Sequence, residues 1–346
     1  MVAGVRSMGE TMRAAVHTDA YRLDLVEKPI PEIDEDEALL KVMVVQFCGS
    51  DKHDLDHAPQ RPQTPGHEFA GVIDRIADGV GFSVGQRVAV SPGYRCGKCE
   101  GCRTGGPCEK AGVYGCRGVQ HPPGAFAEYI KVKVNCLRAI PDHLSLDAAV
   151  WADPVAVGLH AINLAGPVEG RNCVVLGAGS IGIVIAQVLQ HRRAGRIALV
   201  DIVPSHLEAA APLGKFETFL SQGRERVTAE LAALEPTVWF ELAGGTSPTL
   251  DIAIEAAPRG ARVVLVSQRP EGAWINYQWV MGKELTLQGS AGHLPEEFAE
   301  ALALLADGAV EVTPLVTSVF PLDRIQEALD AAYRPESIKV AVKPWG

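Results

Sequence analysis

Three groups of residues in this 346-residue chain have types and spacings that do chemistry. The first is a glycine string. Val174-Val175-Leu176-Gly177-Ala178-Gly179-Ser180-Ile181-Gly182 reads as G-x-G-x-x-G set directly after an apolar strand and opening a helix. Gly177 allows a tight turn, Gly179 lets backbone approach a pyrophosphate, and Gly182 permits close helix–strand packing. Ser180 and Ile181 lie in the first turn, where a helix N-terminus attracts an anion. The next strand ends at Asp201, 19 residues beyond Gly182. A carboxylate there accepts from the adenosine ribose hydroxyls and repels a 2′-phosphate, so NAD is expected over NADP. Ile202 to His206 offer no arginine for such a phosphate.

The second group is thiols. Five of the eight cysteines (Cys96, Cys99, Cys102, Cys108 and Cys116) fall within 21 residues. A disulfide framework is disfavoured in a cytosolic chain, where thiols are kept reduced, and such density then points to metal. Cys96-x2-Cys99-x2-Cys102-x5-Cys108 supplies four thiolates, enough to close a tetrahedral structural zinc site with no open position. A tight turn through Gly105-Gly106-Pro107 would bring in Cys108; Cys116 as the fourth ligand and an empty lobe are the alternatives. Cys136 and Cys173 read as small core residues.

The third group is dispersed. Cys48-Gly49-Ser50-Asp51-Lys52-His53 follows a strand, Gly66-His67-Glu68 precedes one, and Asp153 and His160 lie in a segment that begins at Trp151. A thiolate, an imidazole and one or two carboxylates make a mixed donor set suited to a catalytic zinc, which needs about three protein ligands and one open position.

The elements that must hold these groups fall into two textures. Up to about residue 135, short β-type runs such as Ala38–Phe47, Glu68–Ile76, Arg87–Ser91 and Phe126–Val134 are broken by turns, which predicts a β-rich barrel. A polar, Pro-rich stretch, Asp51–Pro65, and the Cys-rich Pro92–Gly118 interrupt it. After about Asp147 strands alternate with helices: Cys173–Leu176, Ser180–His191, Ile197–Val200, Pro204–Leu213, Val238–Leu242, Thr249–Ala257 and Arg262–Val266. That alternation predicts a parallel sheet covered on both faces. Helices at Glu296–Leu305 and Asp323–Ala332 and a strand at Ile338–Val342 follow.

Length alone predicts two domains. Apolar residues at 47% and charged residues at 21% fit a globular protein with a real core. The formal net charge of −10 argues against nucleic acid or an anionic membrane as partner, since both favour basic surfaces. Cys173–Leu189 is apolar but too short and too rich in glycine to span a bilayer, and the N-terminus has no run of signal-peptide length, so a cytoplasmic location is expected.

These marks together resemble the zinc-dependent medium-chain dehydrogenases/reductases, in the branch with polyol, butanediol and threonine dehydrogenases. They are CGSDKH from Cys48, PGHEFAG over 65–71, the Cys lobe, GAFAEY over 124–129, DPVAVGLHA over 153–161, and VVLGAGSIG. The resemblance runs from Met12 to about Pro344. It implies an α/β chain: a Rossmann domain, doubly wound on a parallel sheet, over 153–293, and a GroES-like β-rich barrel catalytic domain over 1–152 and 294–346, with two zinc sites. It implies that Cys48 and His67 ligate the catalytic zinc and that Glu68 ligates it or sits just behind it. Asp153 stands where relatives usually carry Glu and is one methylene shorter, so its contact is expected directly or through a water. Ser50 matches the hydroxyl that meets the alcohol, His53 the relay imidazole, and Asp51 a residue orienting His67. The family lobe usually has seven residues before its fourth Cys; here there are five.

The expected function is hydride transfer between NAD and a secondary alcohol or ketone, with a polyol, amino alcohol or cyclitol as substrate and two Zn2+ per subunit. The nicotinamide would meet the zinc in the cleft between the domains. Asp54 and Asp56 offer extra charge for such a substrate, and Trp279 and Tyr114 are candidate pocket walls. A zinc-free quinone or enone reductase on the same fold, or an inactive nucleotide-binding protein, are the competing readings. A homodimer or homotetramer is expected, with Glu284–Leu287 pairing across a two-fold axis.

Overall fold

The computed structural model describes residues 9–94, 96, 98–104, 108–116, 121–269 and 272–346. The expected turn through 105–107 lies outside the described residues, as do 117–118 of the Cys-rich stretch. The chain divides into two units, Met1–Asp153 with Val316–Gly346, and Pro154–Leu315. The return to the first unit falls at Val316, not at residue 294. The helix Pro295–Ala306 stays with the second unit, where Glu297 is buried and accepts from Asn163 (2.7 Å).

In the first unit, a seven-stranded sheet carries the strands Glu37–Gln46, Glu68–Ile76, Arg87–Val90, Tyr129–Lys133, Leu137–Ala139, Val316–Pro321 and Lys339–Lys343. The run Glu37–Gln46 is apolar on both faces because it sits mid-sheet, and Ala38, Leu39, Leu40 and Val42 are all inaccessible to solvent. It pairs antiparallel with Glu68–Ile76 on one side and Lys339–Lys343 on the other. Gln46 faces both Glu68 and Ala341 in register, so three strand ends carrying Cys48, Glu68 and Lys339 meet at one end of the sheet. A hairpin of Thr11–Asp19 and Arg22–Pro29 lies outside this sheet.

The second unit is a six-stranded, all-parallel sheet in the order Glu217–Leu220, Ile197–Asp201, Cys173–Leu176, Val238–Glu241, Arg262–Leu265, Thr286–Gly289. The four inner strands are short runs mostly buried on both faces, as crossover helices require, while the edge strands Glu217–Leu220 and Thr286–Gly289 have no fully buried residue. The chain runs outward from Cys173–Leu176 in one direction, then returns to start the other half at Val238–Glu241. That reversal leaves a crevice at the carboxyl ends of these two strands, where open α/β sheets bind ligands. The Rossmann-plus-GroES-like class expected from sequence is the observed one. Among the described residues, the helical stretch Leu146–Ala165 is long and apolar enough to cross a bilayer, but 72% of it is buried within the protein, as in a core helix.

Candidate metal centre and dinucleotide cradle

Ligand atoms of Cys48, His67 and Glu68 lie within 4.8 Å of one another. Local structure explains how. The chain leaves its central strand at Gln46 and turns into the short helix Gly49–Leu55, with Cys48 as N-cap. Asp51, the third residue of that helix, accepts from the Cys48 N–H (2.8 Å) through Oδ2, which closes the first turn. Its other oxygen, Oδ1, stands 3.2 Å from His67 Nδ1. One buried carboxylate therefore sets both the Cys48 backbone and the His67 ring, and directs Nε2 toward the thiol side. Ser50 Oγ is 3.4 Å from that Nε2.

Burial alone lowers the basicity of His67, but the charges of Asp51 and Cys48 outweigh it and hold the imidazole well above its ordinary pKa. Such a field favours a cation beside the ring. Glu68 is raised, first by burial, against the opposing charges of Lys339 and His67, with Asp153 adding to the rise. Both Glu68 oxygens meet Lys339 Nζ, at 3.0 and 2.8 Å, in a pair that is 2% and 1% exposed. Lys339 also lies 5.3 Å over the fully buried Trp151 ring. Asp153 is buried nearby but stands outside the three-residue donor set. His53 is exposed, three residues along the helix from Ser50 and so on the same face.

The thiol lobe gathers Cys96, Cys99, Cys102 and Cys108, again within 4.8 Å of one another. The Sγ pairs Cys96–Cys102 and Cys99–Cys108 are both 3.9 Å apart. A tetrahedron built on Zn–S bonds of about 2.3 Å puts its sulfurs about 3.8 Å apart. The lobe thus has the size of a four-thiolate zinc cage. Backbone donors from Glu109 and Cys102 bring Cys99 down to about 6, and the Cys96 N–H lowers Cys108. The fourth member is Cys108, despite the shortened loop. Cys116 is not part of the lobe. Burial raises its thiol to about 12, and it senses the charges of His67, Asp51 and Cys48. It lines a cavity of about 100 Å³ with His17, Asp54, Leu55 and Gln63. Asp56 accepts from the Tyr333 hydroxyl (2.7 Å). Tyr114 is a core residue whose oxygen accepts from Lys133 N–H, and Trp279 is partly exposed on the helix Tyr277–Gly282.

In the second unit, Gly177 has φ +113°, and a Cβ at Gly182 would come within 1.8 Å of its carbonyl oxygen. A Cβ at Gly179 would project into open space before the helix Ser180–His191. These residues fit a dinucleotide: the backbone is bare where a pyrophosphate approaches, and Ser180 and Ile181 stand at the helix N-terminus. Asp201 Oδ2 accepts from Ala178 N–H (2.6 Å) and Oδ1 from Val203 N–H (2.9 Å). Burial raises this carboxyl, but His206 and the two N–H donors more than offset it and keep it ionised. Sequence reasoning missed Lys339, which reads as an ordinary strand lysine, and Trp151 as its neighbour.

Residues 34–142 match the alcohol dehydrogenase GroES-like domain and residues 180–307 the zinc-binding dehydrogenase family. A sorbitol dehydrogenase of Bacillus subtilis (strain 168) is 31% identical, covering 97% of this chain and 98% of its own. An L-threonine 3-dehydrogenase of Serratia proteamaculans is 29% identical over 92% of this chain and 95% of its own. An alcohol dehydrogenase of E. coli CFT073, solved with NADH, superposes with a TM-score of 0.86 at 28% identity, covering 97% of this chain and all (100%) of its own. The chain belongs to the zinc-type medium-chain dehydrogenases/reductases, and it is an alcohol oxidoreductase that uses zinc and a nicotinamide dinucleotide.

Proposed function

We propose that this enzyme oxidises a secondary alcohol on a polyol, amino-alcohol or cyclitol skeleton, with NAD as acceptor and two zinc ions per subunit. The observation that carries the reading is the mixed donor set Cys48, His67 and Glu68, with the Ser50 hydroxyl 3.4 Å from His67 Nε2. Three ligands of mixed type leave a position for substrate, whereas the four-thiolate lobe is closed. The sorbitol and threonine dehydrogenase relatives support the substrate class. When bound, zinc lowers the pKa of an alcohol oxygen and the nicotinamide accepts the hydride.

This chain's own residues then divide the work. Cys48 and His67 hold the catalytic metal, with Glu68 as third ligand. Asp51 orients His67 and fixes the turn that carries Cys48. Ser50 accepts the hydroxyl proton through a hydrogen bond, and His53, exposed on the same helix face, passes it to solvent. Cys96, Cys99, Cys102 and Cys108 hold the structural metal. Gly177, Gly179, Ser180, Ile181 and Gly182 cradle the pyrophosphate, and Asp201 selects NAD through the ribose. The assembly is a homo-oligomer, and the setting is the cytoplasm.

The test is a metal count together with NADH formation across a panel of polyols, amino alcohols and cyclitols. We expect two zinc ions per chain and turnover with at least one panel class, with NAD preferred over NADP. Zinc-loaded protein that reduces NAD with none of them overturns the substrate class. Equal use of NADP overturns the role of Asp201.

A further inference from the structure

The dinucleotide crevice lies at the carboxyl ends of Cys173–Leu176 and Val238–Glu241. Gly177 and Asp201 account for the pyrophosphate and the adenosine half. The other half must pass over the loops that follow Val238–Glu241 and Arg262–Leu265, on the opposite side of the reversal. Those two loops are irregular. What holds them is a charged cluster to which no role has been given so far.

Glu241, 1% exposed, ends its strand and accepts from every direction. Its Oε1 takes the Gly244 N–H (3.3 Å), the Thr249 hydroxyl (2.5 Å) and Arg269 Nη2 (3.0 Å), and its Oε2 takes the Ser267 hydroxyl. Arg269, with its side chain 14% exposed, donates from Nη1 to the carbonyls of Gly245 (2.8 Å) and Ser247 (3.0 Å), and from Nη2 also to Thr249 Oγ1 (3.2 Å). The Gly245 N–H donates to Gln268 O (3.2 Å), and Ser267 N–H to Glu241 O (3.1 Å). One planar guanidinium thus ties the 244–249 loop to the 266–269 loop, and the carboxylate is its anchor.

We propose that Arg269 is a positioning residue for the nicotinamide half of the bound dinucleotide. Two features carry this. The fork geometry of Arg269 reaches two carbonyls and a carboxylate at once, which a point-charge lysine does not reproduce. The cation also neutralises Glu241, so the crevice floor does not set an unpaired buried charge against an anionic cofactor. The loop abuts the cradle directly: a Cβ at Gly177 would meet Ala243 N and Leu242 C, each at 3.3 Å. The inference rests on the dinucleotide reading and goes beyond it by assigning a residue to the half of the ligand that reacts.

The experiment measures binding of NADH and of ADP, which carries only the adenosine and phosphate half, by calorimetry on wild type, Arg269→Lys and Ser267→Ala. In Arg269→Lys we expect NADH affinity to fall about tenfold, the worth of one or two lost hydrogen bonds, with ADP affinity unchanged. The KM for NAD rises in parallel. Ser267→Ala, a mild change that keeps the ion pair, should show a smaller fall of about two- to threefold in the same direction. Equal losses for NADH and ADP, or no loss for either, overturn the proposal. Wild type that binds neither ligand overturns the dinucleotide reading itself, a separate failure.

Discussion

Lys339 Nζ is bound to both oxygens of Glu68, at 3.0 and 2.8 Å, in a pair closed off from solvent. The carboxylate proposed as third ligand of the catalytic metal is therefore already paired with a lysine from the far end of the chain. Removing one partner of a buried pair leaves the other charge stranded, at a cost of about 3–5 kcal/mol. Lys339→Met should lower the stability of the metal-free protein by that order. Added zinc should restore part of it, because the freed Glu68 lies within 4.8 Å of the donor atoms of Cys48 and His67. Denaturation midpoints with and without zinc check this. A loss that zinc does not touch removes Glu68 from the metal's reach.

How much of this site was legible follows from what each residue depends on. The strand Glu68–Ile76 and the segment Cys173–Leu176 with Ser180–His191 were readable to the residue, because alternation, an apolar run and a glycine string are local signals. The helix Gly49–Leu55 was not: its polar stretch reads as an interruption, and its first turn depends on Asp51 capping Cys48 N–H. Lys339 was invisible because its partner is 271 residues away in sequence. Glu217–Leu220 and Val316–Pro321 were missed because they are short edge strands with no fully buried position, so no apolar run marks them. The boundary at Val316 was misjudged because the helix Pro295–Ala306 carries an apolar face that sequence alone does not assign to either core.

The thiol lobe predicts a pH-dependent metal. Thiolates bind zinc and thiols do not, so binding competes with protons. Backbone donors from Glu109 and Cys102 lower Cys99 from the usual range near 9 to about 6. A depressed folded-state pKa gives stability that is fully present above the unfolded value and is lost as pH falls through the folded value. The lobe should hold zinc at pH 7, where Cys99 is already largely thiolate, and lose it progressively as acid protonates the thiolates, at a pH below the Cys99 value because bound zinc competes with protons. A chromogenic chelator titration reads the release. Cys99→Ser should lose one of two zinc ions and melt earlier, while Cys48→Ser loses one and stops turnover.

Asp201 accepts from Ala178 and Val203 N–H groups and lies 3.5 Å from His206. Its carboxyl is held below the ordinary value of about 3.9, so it is charged throughout the neutral range. Asp201→Ala should weaken NAD binding by about 10-fold and reduce the preference for NAD over NADP, the loss of one charge-assisted ribose contact. The ratio of kcat/KM with the two cofactors, taken at pH 6 and 8, should be altered equally at both. An unchanged ratio means Asp201 does not meet the ribose.

The strand Thr286–Gly289 is an edge of the parallel sheet, with one neighbour. Beside it in sequence, Trp274, Tyr277 and Met281 are 76%, 68% and 52% exposed. An open edge with exposed apolar residues close by is a surface that proteins cover. We expect a symmetric homo-oligomer that pairs this edge with its copy. Thr286 and Ser290 N–H donate inward to Ala261 and Leu265, so the Gly289 N–H faces the open side; Gly289→Pro removes that donor and should shift the mass measured by light scattering toward monomer. A wild-type monomer at micromolar concentration ends this expectation.

Asp153 should matter to the metal although it stands outside the donor set. It is buried, and its charge raises the Glu68 carboxyl. Its place at the start of the helix Ala152–Ala165 aims a carboxylate near the centre. Asp153→Glu adds one methylene and should hold zinc at least as tightly. Asp153→Ala removes a negative charge near a dication and should lower zinc affinity by about 10–100-fold, the range for groups that act from behind the ligands. Zinc retained against a chelator, compared across the three proteins, reads both effects. Full retention and full activity in the Ala variant would mean that Cys48, His67 and Glu68 hold the metal without Asp153.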